Sequence, residues 1–232
     1  MTGLIQMYLY KMFSKKGIYI LLGFIPITLL LSSMDAEPPT AADLICQLHP
    51  FFILLLAVYT AVFFAADISC GFLKNYAGTL PDRSRIIGAR TVTAVIPNIL
   101  VSVFVFLFSV LFAPEKGDMK TAVLSTGCFL AAGIAYSFFS ILIVELVRKT
   151  IPVVILSIVF SSGIACELLT SLVGTITGWK VVLKAYLLTG VTGMAEPAQM
   201  QEMAVRLLVI SAVYIAVSLT AGLFSIKKRD LA

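Results

Sequence analysis

Charge is scarce in this 232-residue sequence: Asp, Glu, Lys and Arg make up 12% of it, against 60% hydrophobic residues. A soluble chain of that length needs about a quarter of its residues charged to cover its surface. With a mean hydropathy of +1.04, lipid is the solvent for much of this one. Histidine occurs once, at His49, and the four cysteines, Cys46, Cys70, Cys128 and Cys166, form no CxxC or Cys/His pairing. A bound metal is therefore not expected. The cysteines fall at different expected depths, with Cys46 alone near the outer face, so no intrachain disulfide is expected either. GxxxxGK[ST], GxSxG and HExxH are all missing, as are paired acids within an apolar run. These absences argue against a nucleotide cradle on this chain and against the common hydrolytic constellations. The net charge of +5 is spread over short clusters between apolar runs, which is a topology pattern and not a nucleic-acid stripe. There is no low-complexity tract, internal repeat or soluble domain.

What is present is a series of long apolar runs. About 20 residues at about 1.5 Å each cross about 30 Å of hydrocarbon, and six segments qualify: 17–33, 50–66, 88–112, 121–147, 151–173 and 204–225. The runs are continuous and not alternating, so they read as helices and not as barrel strands. The fold expected is one all-α membrane domain over 1–232. The lysines before the first run resemble a secretory signal, but that run is long enough to span and is read as a retained helix.

Lys and Arg set the orientation. Twelve of the seventeen cations fall in the N-terminal segment (Lys11, Lys15, Lys16), the second loop (Lys74, Arg83, Arg85, Arg90), the fourth (Arg148, Lys149) and the tail (Lys227, Lys228, Arg229). The first outer loop holds Asp35, Glu37 and Asp43 and no cation. The positive-inside rule places both termini in the cytoplasm.

Four pieces do not span. In residues 4–13, Leu4, Ile5, Tyr8, Leu9 and Met12 recur at helical spacing, predicting an amphipathic helix in the inner interface. The cytoplasmic stretch 67–87 is long for a connection. In the turn at 145–150, Thr150 is expected to cap the fifth helix and Pro152 to sit in its first turn. In 174–203, Trp179, Tyr186, Lys180 and Lys184 predict an interfacial or re-entrant helix, with Glu196 and Pro197 opening the helix into the last span.

Few residues could carry chemistry. His49, beside Pro50 at the expected outer mouth of the second helix, reads first as an interface residue and second as a substrate contact. Glu167 is the one acid expected within a span, either snorkelling or bonded across helices, or part of a pathway. Ser157, Ser161 and Ala165 line one side of the fifth helix, and Gly133 and Ser137 one side of the fourth, as rows suited to close packing. Phe104, Phe106, Phe108 and Ser157 would suit an apolar pathway.

The stretch Phe64-Ala65-Ala66-Asp67-Ile68-Ser69-Cys70-Gly71-Phe72-Leu73-Lys74-Asn75-Tyr76 resembles the segment of ABC-2 type ABC-transporter permeases in which an acid ends the second helix and Gly-x-x-Lys-Asn follows. The C-terminal Phe224-Ser225-Ile226-Lys227-Lys228-Arg229-Asp230-Leu231 is similar to that family's ending, and the six-span layout extends the likeness along the chain. The resemblance implies a coupling segment that docks on a separate ATPase, carried by Asp67, Gly71, Lys74, Asn75 and Tyr76, with Glu145 and Arg148 in the second cytoplasmic turn. It implies no cofactor on this chain, with ATP and Mg on the partner ATPase subunits. It further implies a homodimer, or a heterodimer with a related permease, in a bacterial plasma membrane. The compact form resembles permeases of antimicrobial-peptide immunity and of peptide or drug export.

The physical reading beside it is a basic loop whose Lys74, Arg83 and Arg85 would meet either an acidic groove on a partner or anionic lipid. Other classes stay open: an ion-coupled secondary transporter working through Glu167, or a non-transporting membrane scaffold or sensor subunit. No catalytic constellation supports an enzyme.

Overall fold

In hydrocarbon the backbone must satisfy its own hydrogen bonds, and a helix does so within one segment. The computed structural model describes residues 2–32, 39–69, 84–115, 117–177, 188, 192 and 200–229. Its helices are α1 (Thr2–Ser14), α2 (Gly17–Ser32), α3 (Ala41–Ser69), α4 (Ser84–Phe112), α5 (Met119–Val147), α6 (Thr150–Ser161), α7 (Ile164–Thr177) and α8 (Met200–Arg229). Among the described residues the extended pairing is a single bridge between Thr40 and Glu115. Four helices (α3, α4, α5 and α8) are long and apolar enough to cross a membrane alone. Two bent pairs, α1 with α2 at 55° and α6 with α7 at 65°, bring the count to six if each is one span. The protein is an all-helical, membrane-embedded bundle.

Several boundaries differ from the sequence expectation. Helix α3 starts nine residues before Pro50, because Thr40 and Asp43 cap each other. Asp43 Oδ2 accepts from the Thr40 amide at 2.9 Å and from its hydroxyl at 2.6 Å, and the Asp43 amide donates back to Thr40 Oγ1 at 3.3 Å. Pro50 is therefore interior to the helix. His49 is not at a mouth but buried, tilted against Phe129 of α5 with ring centroids 4.5 Å apart. Thr150 does not cap α6: Lys149 occupies the N-cap position without a side-chain bond, and Thr150 is the first helical residue. Pro152 does sit in the first turn of α6, where its missing donor costs little.

The segment expected as the fifth span, 151–173, is not one helix but the bent pair α6 and α7. Gly163 takes a φ of +86°, a conformation that glycine alone adopts freely. Beside it Ser161 donates to the Ser157 carbonyl, and the Ser162 hydroxyl reaches the Val159 carbonyl at 3.4 Å. Hydroxyls that bond back to the preceding turn favour bending there. The row Ser157–Ser161–Ala165 thus does not run along one helix, since Ala165 lies on α7.

The core forms around α5, which packs against α3, α4, α6 and α8. Leu44, Ile45, Phe52, Val101, Val105, Phe129, Ala132 and Leu207 fill the middle of the bundle. A second cluster, with Leu4, Tyr8, Met12, Phe63, Phe64, Ile86, Ile141, Val144 and Val153, fills one end. Helix α1 is therefore seated by its Leu4–Tyr8–Met12 stripe on protein and not on lipid alone. Large apolar side chains point outward from α2 (Ile20, Phe24, Ile27, Leu31) and α8 (Val205, Val209, Val213, Val217), a surface that hydrocarbon suits.

Candidate functional site

At the α1 end of the bundle the chain gathers charges that the apolar sequence otherwise avoids. Helical spacing sets each one. Tyr8 and Lys11 sit three apart on α1, Phe63, Phe64 and Asp67 share a face of α3, and Glu145 and Arg148 sit three apart on α5. Arg90, near the start of α4, is fully buried among them at 0% exposure. Its Nη1 pairs with Glu145 Oε1, its Nε donates to the Tyr8 hydroxyl at 3.3 Å, and its guanidinium lies 5.3 Å from the Phe64 ring centroid. Asp67, 1% exposed, takes Lys11 on Oδ1, while Arg90 Nη2 stands 3.9 Å from its Oδ2. Lys11 also lies 5.0 Å over the Phe63 ring, and Arg148 Nη2 is 3.8 Å from Glu145 Oε2.

A buried guanidinium is tolerated only where opposite charge and hydrogen bonds replace water. Here two carboxylates, a phenol and an aromatic face do so. The two buried acids are matched by Arg90 and by Lys11, so the set is close to neutral. Charge-assisted pairs of this kind fix geometry as well as sign. The result ties α1, α3, α4 and α5 together where α3 ends, and the segment 70–83 leaves from that point.

Of the residues singled out from sequence, Asp67, Glu145 and Arg148 come together in this cluster. Gly71, Lys74, Asn75 and Tyr76 lie outside the described residues, as do Cys70, Arg83, Trp179, Lys180, Lys184, Tyr186, Glu196 and Pro197. Glu167 does not join the cluster; it is exposed in the first turn of α7. Ser157 is buried with no partner for its hydroxyl among the described residues, and Ser161 is half-buried and spends its hydroxyl on the Ser157 carbonyl. Phe104 and Phe108 are half-buried and lie 6.0 Å apart along α4, packed on the core with Phe106. Gly133 and Ser137 face Asn98 of α4. Cys46, Cys128 and Cys166 are free thiols.

The sequence reading missed Arg90, Tyr8 and Lys11 as site residues, having counted both cations as topology signals. The clue was that Arg90 lies inside the apolar run 88–112. An arginine there must find a partner in the bundle.

A cavity of about 150 Å³ lies where α6 breaks, lined by Tyr136, Phe139, Phe160, Cys166, Leu188 and Tyr214 among others. A wholly apolar groove of about 430 Å³ runs between α2 and α3. The groove borders the ionic cluster through Tyr59, which stacks on Phe63 with ring centroids 5.9 Å apart. No family model matches this chain, and no curated protein matches it in sequence.

Proposed function

We propose that this chain is the membrane-spanning subunit of an ATP-driven ABC exporter of the ABC-2 type, with six spans and both termini in the cytoplasm. The observation that carries the reading is the stretch Asp67…Gly71-x-x-Lys74-Asn75-Tyr76 leaving α3 at the buried ionic cluster. A segment that receives force from a separate ATPase needs a stiff root, and α3 is tied there to α1, α4 and α5. The same end exposes Lys15, Lys16, Arg85, Arg148 and Lys149, which favours a cytoplasmic face. Alternating access would follow from rigid-body rocking, with closure of the ATPases transmitted through 67–76 and the α5–α6 turn. Two copies, or this chain with a related permease, would enclose the pathway, with α6 and α7 together as the fifth span and the segment before α8 as its re-entrant part. The cargo class that suits an apolar pathway is an amphipathic peptide or drug.

The test is co-purification with a P-loop ATPase, followed by ATP hydrolysis in lipid. Lys74→Ala and Gly71→Val are expected to lower stimulated hydrolysis by tenfold or more, through lost docking. Unchanged docking and turnover in both would remove the assigned coupling segment. The absence of any co-purifying ATPase would remove the exporter reading itself.

A further inference from the structure

One bond in the ionic cluster is open. Asp67 Oδ2 and Arg90 Nη2 face each other at 3.9 Å, both are buried, and among the described residues neither atom has a hydrogen-bond partner. A normal N–H···O bond spans about 2.7–3.2 Å, so the pair is short of closure by about 1 Å. Asp67 is held instead through Oδ1 by Lys11, which reaches it from the rim with a quarter (26%) of its side chain exposed. Arg90 meanwhile commits Nη1 to Glu145.

The same five groups have a second arrangement in which both acids keep a cation. Arg90 can fork between Asp67 and Glu145, Arg148 can close its 3.8 Å gap to Glu145, and Lys11 can leave for water. Arg148 is within ion-pair range of Glu145 in both, so the release of Lys11 takes the cluster from three cations against two acids to two against two. Helix α1 has its own joint for such a departure, the 55° bend at residues 15–16 before α2. We propose that Asp67 is exchanged between Lys11 and Arg90, making α1 an ionic latch whose docking sets the spacing of α3 and α4 at this end. The coupling reading enters only as the use of the latch. With Lys11 docked, the root of the 67–76 segment is held apart from Arg90; with Lys11 released, it is drawn onto α4.

Hydrogen exchange on the full chain in lipid nanodiscs, without any ATPase, tests this. In Lys11→Met, the amides of α1 are expected to exchange at least tenfold faster, while 61–69 and 84–94 exchange at the wild-type rate or slower. Lys11→Arg is expected to restore slow exchange in α1. In Lys11→Met with Arg90→Lys, a point charge replaces the fork, and 61–69 and 84–94 are expected to speed up as well. Unchanged exchange in α1 of Lys11→Met overturns the latch. So does a joint rise in α1, 61–69 and 84–94 of that single variant, which would make the cluster one inseparable unit. Acylation of the wild-type protein gives the same reading without a variant. Lys11 should be modified at least tenfold more slowly than the exposed Lys15 and Lys16, and modified chains should show fast exchange in α1. A Lys11 that stays unmodified, or modification that leaves α1 slow, counts against the exchange. Because no motor is present, failure here leaves the exporter reading to its own test.

Discussion

Asn98 of α4 donates to Ser137 of α5 at 2.8 Å, and its carbonyl oxygen lies so close to Gly133 that a Cβ there would stand 2.5 Å away. Asn98 also donates to the Ala94 carbonyl at 2.8 Å, and Ser137 accepts from Thr60 of α3 at 3.4 Å. Three helices thus meet over one glycine. Gly133→Ala should push Asn98 off its partners and cost about 1–3 kcal/mol. Thermal unfolding in detergent would show it. Adding Asn98→Ala should recover part of the loss, because the clash goes with the amide.

Arg90→Gln removes the one cation that is fully buried among the described residues and leaves Glu145 without its main charge partner. Breaking one side of a buried pair costs about 3–5 kcal/mol. The variant should unfold at markedly lower temperature or fail to accumulate in membranes. Glu145→Gln combined with Arg90→Gln should be less damaging than Arg90→Gln alone, and a double-mutant cycle measures that coupling.

Two glycines with open space around a built Cβ should respond with opposite signs. Gly163 has positive φ, so Gly163→Ala costs about 1–2 kcal/mol through the backbone alone. Gly127 is inside α5 with ordinary φ, so Gly127→Ala gains about 0.5–1 kcal/mol. Denaturant titration of both variants distinguishes the bend from mere local packing.

Asp118 caps α5, accepting from the Thr121 hydroxyl at 2.8 Å and the Lys120 amide at 3.1 Å. These bonds, the Thr121 hydroxyl first, hold its carboxyl below the usual carboxylate value. A depressed folded-state pKa contributes stability that is present above the ordinary carboxylate value and lost as pH falls through the folded value. Asp118→Asn keeps a capping oxygen, so it should fold normally and flatten this acid limb of the stability curve.

Legibility in the sequence followed physical scale. The apolar interior of α5 is an unbroken run, and averaging over about 20 residues finds it directly. The same averaging hides the break at Ser162 and Gly163, because the residues on both sides are apolar and one φ decides the bend. Helix α3 began early because Thr40 and Asp43 formed a cap with an Asp in place of the usual Glu or Gln, while Pro50 looked like a start. Asp67, Glu145 and Arg148 were found through the resemblance and not through partners. Arg90 went unread because a rule that counts cations by loop does not ask whether one is inside.

The two ends of the bundle are held by different means. Buried ion pairs bind one end, and at the other lie the Thr40–Glu115 bridge, the part-buried cap at Thr40 and the exposed cap at Asp118. That makes the ionic end a natural fulcrum. Helices α3, α4 and α5 each have 29 residues, an arm of about 43 Å at 1.5 Å per residue. A tilt of about 5° at the fulcrum moves the far tip of such an arm by about 4 Å, so a small change of angle among the charges is magnified at the capped end.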